Sequence, residues 1–450
     1  MINLRLDRTL SGDVLRIALP TIAGLSSQMV VSITNTAMVG RLPNTEVELA
    51  AMGLGFLGSW AITSLFSSLS TGTHVLAARR QGENNPEGVG DVLNNSLVIC
   101  GILGIIFGGL GYYFSFAIMD FFSKDPAVAT AGAMYMRYQF LGLPFFLLIV
   151  SYRGFFYGIG HAKIFMYSAL IINVFNIFFN YLLIFGAFGM PRMELAGAGL
   201  GSSLSMFLGF LFFLFVTFTP DYRKQYKYFS HFKLSREVVN QIVKISVPVS
   251  LQNILILLGF LVFVAITGII GTVAQAASQV VISALFISLM PCFGFGIAAQ
   301  TLVGQSLGKG EIRRAHAYGY ETAKLGTLFT IAVGALFVFA PDQVVLVITT
   351  NRDVMAAARP VLQIAGIAQI FYSAGIIFAN ALQAGGATVY VMFVEVLTHW
   401  IIFLPLTYLF GVTWQGGLKG AWCALPVYIV AYTVMNTLKF RSAGWLRMKL

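Results

Sequence analysis

Polar side chains set inside long apolar runs are the residues of this chain that could do chemistry. Gln28, Ser32 and Asn35 fall at i, i+4 and i+7 of one run, and Asn173, Asn176 and Asn180 at i, i+3 and i+7 of another. Each set makes one stripe on a helix face. Amides and hydroxyls facing lipid are unfavourable, so the stripes must face other helices or a wet cavity. They could hydrogen-bond helix to helix, or offer carbonyl oxygens to a small cation and hydrogen bonds to a polar solute. Two stripes in one half of the chain favour a cavity.

Ionisable groups are rarer. Glu395 lies about eight residues into its apolar run, roughly 12 Å at 1.5 Å per residue, with His399 one turn further on the same face. A carboxylate at that depth is either a proton or cation site or the structural partner of His399. Arg137 is similarly deep and could meet an anionic group. Arg359, Glu321 and Lys324 stand near helix ends, where they snorkel or pair locally. His74 reads as a packing residue.

Composition dictates the elements that must position these groups. The chain has 450 residues, 58% hydrophobic and only 10% charged, whereas soluble domains carry roughly a quarter charged. Runs long enough to cross a bilayer, about 20 residues each, fall near 14–39, 49–78, 92–119, 127–151, 162–186, 195–218, 242–270, 274–304, 316–340, 354–380, 387–411 and 418–438. The expected fold is an all-α membrane protein with twelve transmembrane helices in two pseudo-symmetric six-helix lobes. Cys100, Cys292 and Cys423 have no close partner in sequence. No metal-binding or catalytic spacing occurs, so neither an enzyme, a metal site nor a cofactor is expected.

The two lobes are a duplication. Pro20 and Gly40 recur as Pro248 and Gly268, and a spacing of 226 pairs Gly82 with Gly308, Val128 with Val354 and Gly160 with Gly386. The halves are expected at 1–220 and 241–450, joined by a cytoplasmic linker at 221–240 with Tyr222, Tyr226, Tyr228 and Phe229 at headgroup depth. Both begin on the same side, so the repeats are parallel, as in transporters whose halves rock about a shared path. Pro20 and Pro248 each remove a helical hydrogen bond and are the expected hinges. Pro144, Pro291, Pro360 and Pro405 could bend their helices in the same way.

The net charge of +11 is an inner-face property. Only five of 28 basic residues (Arg41, Lys124, Arg192, Arg352 and Lys419) fall in the outer loops, which places both termini in the cytoplasm. Anionic headgroups account for the 20 in the inner segments, and no nucleic-acid partner is expected.

The segment IALPTIAGLSSQMVVSITNTAMVGRL, the following LAAMGLG, STGTHVLAARRQGENN, NIFFNYLLIFG and GAGLGSSLS together resemble the multidrug and toxic compound extrusion family. The resemblance runs nearly end to end. It implies two six-helix lobes exporting amphipathic compounds, often organic cations, in exchange for protons or sodium ions. It also implies a site in the first lobe at Asn35, Asn176, Asn180 and Ser202. The family's carboxylates in the first and fifth helices stand here as Asn35 and Asn180, and an amide cannot take up a proton. The expected function is therefore a secondary antiporter of small amphipathic compounds, monomeric in the cytoplasmic (inner) membrane, with coupling shifted to Glu395 and His399. Gln28 and Arg137 complete the candidate site. A flippase or exporter of a lipid-linked or anionic substrate is the alternative. A major-facilitator carrier lacks its usual loop signature here.

Overall fold

A computed structural model describes residues 6–228 and 234–447. The described residues are mostly helical, without strands. Eleven helices are long and apolar enough to cross a membrane, and a bent pair makes the twelfth span. They are α1 (Arg8–Val39), α2 (Thr45–Gly82), α3 (Pro86–Phe122), α4 (Pro126–Leu141 with Leu143–Gly158), α5 (Ala162–Phe185), α6 (Glu194–Phe218), α7 (Arg236–Ile270), α8 (Thr272–Gly308), α9 (Ile312–Phe339), α10 (Arg352–Ala384), α11 (Thr388–Thr413) and α12 (Gly417–Arg441). The chain is an all-α membrane protein, six spans to each half of its sequence.

The apolar run at 127–151 forms one span, and α4 bends in it by 48° at Gly142. Pro144 is the cause, since it has no N–H to continue the ladder and restricts the residue before it. The bend is accommodated by α3, where Gly104 lies so close to the Pro144 backbone that a Cβ would collide at 2.6 Å.

The linker is a docked strap. A short helix, Pro220–Tyr226, follows α6, and the Tyr226 and Tyr228 rings are 2% and 1% exposed, packed edge-on against Phe155 of α4. Tyr222 meets Phe156 edge-on and hydrogen-bonds His161 at 2.6 Å. These rings bury against protein because α4 offers them the aromatic face of Phe155 and Phe156. Phe229 lies outside the described residues.

The chain forms two compact units, divided elsewhere than at the linker. The N-unit is Ala23–Ser250; the C-unit takes the residues up to Ile22 and those from Leu251 onward. Hydrogen bonds explain the division. At the start of α1 the Asp7 N–H and Ser11 hydroxyl both donate to Glu321 Oε1, at 2.8 and 2.6 Å. Lys324 holds the other Glu321 oxygen at 2.7 Å, and Tyr318 donates to Asp13 at 2.6 Å. At the start of α7, Ser235 N–H donates to Asn95 at 2.9 Å and Ser250 to the Leu65 carbonyl at 2.7 Å. Each unit thus holds the first turns of the other half's leading helix, and the chain crosses two residues beyond Pro20 and two beyond Pro248.

Candidate functional site

In the N-unit, α1, α5 and α6 bring four of the expected residues together. Asn35 Nδ2 donates to Asn176 Oδ1 at 2.9 Å, and Asn180 Nδ2 donates to Asn35 Oδ1 at 2.8 Å and to Asn176 Oδ1 at 3.2 Å. Asn176 Nδ2 in turn donates to Ser202 at 3.1 Å and to Ser205 at 3.4 Å. Asn180 is fully buried and Asn176 is 5% exposed, so these bonds satisfy groups that lipid could not. One acceptor is left over. Asn180 Oδ1 has no partner, and Gly201, lacking a Cβ, leaves room for it.

One turn back, Asn173 donates to Ser27 at 2.7 Å. Gln28 and Ser32 are exposed, so the α1 stripe joins the cluster only through Asn35. Ser205 went unsingled in the sequence, although it follows Ser202 at i+3. The hydrogen-bonded set holds no ionisable group. It can offer a solute dipoles and carbonyl oxygens, not charge.

The C-unit has a different centre. Glu395 of α11 is 5% exposed, and Tyr428 of α12 donates to its Oε1 at 2.6 Å. Tyr432 and Gln252 also reach the carboxylate, and Tyr372 reaches Tyr428. Among the described residues no Lys or Arg pairs with Glu395. His399 is not its partner. That ring sits against Gly259, whose backbone is within weak hydrogen-bonding reach, with centroids 5.3 Å from Phe403 and 5.6 Å from Tyr428, and neither of its nitrogens makes a well-formed hydrogen bond. The helix there widens to a π-turn over Leu397–Phe403, a distortion that frequently marks functional sites. Trp400 pins that turn to α7 through the Leu255 carbonyl at 3.0 Å. Nothing in the spacing of Tyr428 or Gln252 singles them out, because their partner lies on another helix.

Arg137 of α4 joins neither centre: its guanidinium lies 4.3 Å from the Tyr112 ring centroid and 5.4 Å from that of Phe116, both on α3. The prolines stand inside their helices as expected, Pro20 in α1 and Pro248 in α7. Cys100 and Cys292 are buried and unpaired.

Against this geometry, the sequence profile of the MatE family matches twice, over residues 20–182 and 248–409, once in each repeat. The chain belongs to the MatE family. The paired matches start at Pro20 and Pro248, the same offset that the duplication shows. A relative from Thermotoga maritima, a probable multidrug resistance protein NorM, is 25% identical over 96% of this chain and 92% of its own length. Among solved structures, an outward-facing multidrug resistance MATE family transporter of the MOP superfamily superposes with a TM-score of 0.90 at 19% identity, covering 98% of this chain and 97% of its own. A MOP superfamily transporter from Pyrococcus furiosus, described as having a binding pocket of reverse polarity that suggests a different function, gives 0.89 at 20% identity, over 99% and 98%. At those identities the likeness shows the MATE fold.

Proposed function

We propose that this MatE protein is a secondary exporter of small amphipathic compounds across the cytoplasmic membrane, coupled to a proton or sodium gradient through Glu395. The observation that carries the reading is the contrast in charge. The amide cluster is neutral, whereas Glu395 is buried, held by a phenol hydroxyl and free of any cationic partner among the described residues. A monovalent cation in a low-dielectric pocket gains several-fold more from an anionic partner than it does in water. His399, whose ring nitrogens make no well-formed hydrogen bond, is the second group that an entering water or ion could meet.

In this reading the amides Asn35, Asn176 and Asn180 with Ser202 orient the polar end of a substrate in the first lobe. Pro20 and Pro248 act as hinges near the points where the chain leaves one compact unit for the other, and the six-helix lobes are read as residues 1–220 and 241–450 with a linker at 221–240. Both termini are cytoplasmic, by the excess of Lys and Arg on that side, and the protein works as a monomer. The names of the NorM relatives support multidrug efflux as the substrate class.

Purified protein in liposomes, loaded with a fluorescent organic cation under separately imposed proton and sodium gradients, tests the proposal. One gradient should drive export, and Glu395→Gln should abolish the drive while leaving solute binding. Export that ignores both gradients, or that Glu395→Gln leaves untouched, would overturn it. The alternative of an anionic or lipid-linked substrate draws on Arg137, whose guanidinium is engaged by Tyr112 and Phe116; vesicles with labelled anionic lipid would reveal flipping.

A further inference from the structure

The N-unit holds a carboxylate that neither centre uses. Glu48, in the first turn of α2, is 7% exposed, and its Oε2 has no hydrogen-bond partner. Among the described residues no Lys, Arg or His pairs with it. Removing a carboxylate from water without a partner is costly, so such a group persists where something positive visits it.

Its neighbour sharpens the point. Glu194, the first residue of α6, is close enough for the two charges to act on each other. Arg192 pairs with Glu194 at 3.3 Å, both about half-exposed. Two carboxylates against one guanidinium leave one negative charge uncompensated, the complement of a monovalent cation. Among the described residues no group of three or more His, Cys, Asp or Glu is arranged to hold a metal ion, so a tightly held divalent ion does not fit.

Geometry connects this acidic pair to the amide cluster. Ala198, Ser202 and Ser205 fall at i, i+4 and i+7, one face of α6, and Glu194 opens the helix one turn before Ala198 with a left-handed backbone, φ +53°. Ser202 and Ser205 are the hydroxyls that accept from Asn176. Glu194 therefore stands at the end of the helix that carries the cluster's two serines, with Ser202 roughly 12 Å further along the helix axis and Ala198 between them. The helices are fixed to each other by close contacts, Gly55 of α2 against the Tyr135 ring and Ser203 of α6 donating to the Tyr138 carbonyl at 2.5 Å.

We propose that Glu48, assisted by Glu194, captures a small monovalent cation, a proton or a sodium ion, at the end of the N-unit that carries the α1–α2 and α5–α6 loops. The site supplies the negative charge that Asn35 and Asn180 lack, and it feeds the amide cluster from that end. It is independent of coupling through Glu395.

The test uses purified full-length protein in lipid nanodiscs, without substrate or gradient, in a Glu395→Gln background so that the C-unit carboxylate is silent. Thermal unfolding is followed while sodium replaces choline, and again while pH is varied at constant choline. A saturable response to sodium identifies sodium as the occupant; a response to pH alone identifies the proton. In either case Glu48→Gln should weaken the response by about tenfold in ligand concentration, Glu48→Asp should restore part of it, and Glu194→Gln should weaken it by about threefold, as a flanking charge in a partly screened setting does. If Glu48→Gln does not fold, Glu194→Gln still decides, since an unchanged response there overturns the proposal. So does a Glu48→Gln protein whose sodium and pH responses both match its parent, and so does a parent that responds to neither. Failure of coupling at Glu395 shows instead in gradient-driven transport and leaves these measurements untouched.

Discussion

The amide cluster of the N-unit and the Glu395 centre of the C-unit stand on the same repeated helix, yet they hold their polar atoms in opposite ways. The spacing of 226 places His399 on Asn173 and Glu395 on Ala169, so the acid sits lower on its helix than Asn176 and Asn180 do on theirs. In α5 the amides bond one another and two serines, a neutral set with the Asn180 Oδ1 acceptor left over. In α11 a single carboxylate takes a phenol hydroxyl from α12 and leaves a histidine beside it without a well-formed hydrogen bond. A duplicated scaffold has kept its helices and changed which turn bears the chemistry. Neutral amides can pair among themselves, whereas a buried charge needs donors from several helices.

The largest effect that would sharpen this contrast is Glu395→Gln, expected to lower gradient-driven transport in liposomes by at least about tenfold, since a charge and not merely a hydrogen bond is lost. The contrast breaks if Asn180→Ala abolishes gradient coupling while Glu395→Gln transports normally. Next, Asn180→Ala should destabilise the N-unit by about 1–3 kcal/mol, because it leaves the part-buried Asn35 Oδ1 and the buried Asn176 Oδ1 each short of a donor. Thermal unfolding in detergent checks it, with transport reduced only a few-fold. Tyr428→Phe, which removes the 2.6 Å hydrogen bond to Glu395, should cost about 1–2 kcal/mol and slow transport less than Glu395→Gln does. Asn35→Asp should make the two centres more alike, strengthening cation binding in the N-unit by a few-fold in the nanodisc titration.

The smallest effect lies outside both centres. Burial pushes the Tyr226 phenol up from its ordinary 10 to about 12. A raised folded value means that the neutral phenol is favoured in the docked strap, so this contribution is complete below pH 10 and lost as pH rises toward 12. Limited proteolysis of the linker should accelerate over that window, and Tyr226→Phe should remove the dependence.

The helices were legible because apolar runs of bilayer length leave few alternatives, and the repeat was legible because Pro20 and Pro248 keep their places. The meeting of Asn35, Asn176, Asn180 and Ser202 followed from stripes that had to avoid lipid together with the family resemblance. What escaped the sequence depends on partners far along the chain. No periodicity foretells that Tyr428 reaches Glu395 from 33 residues away, that His399 is left without a well-formed hydrogen bond, or that Glu48 is buried unpaired. The π-turn at Leu397–Phe403 carries no pattern of its own, and the compact units divide inside α1 and α7, where hydropathy is continuous.

That division bears on how such a chain could arise. If a single six-helix ancestor packed the start of its leading helix as this chain packs residues up to Ile22 and from 236 to 250, two copies would have exchanged those turns reciprocally, as domain-swapped dimers do. Fusion of the two genes then turned an exchange between subunits into two covalent crossings of one chain. Neither half of the present sequence, expressed alone, should hold its leading turns in place; the two halves co-expressed as separate polypeptides should restore both.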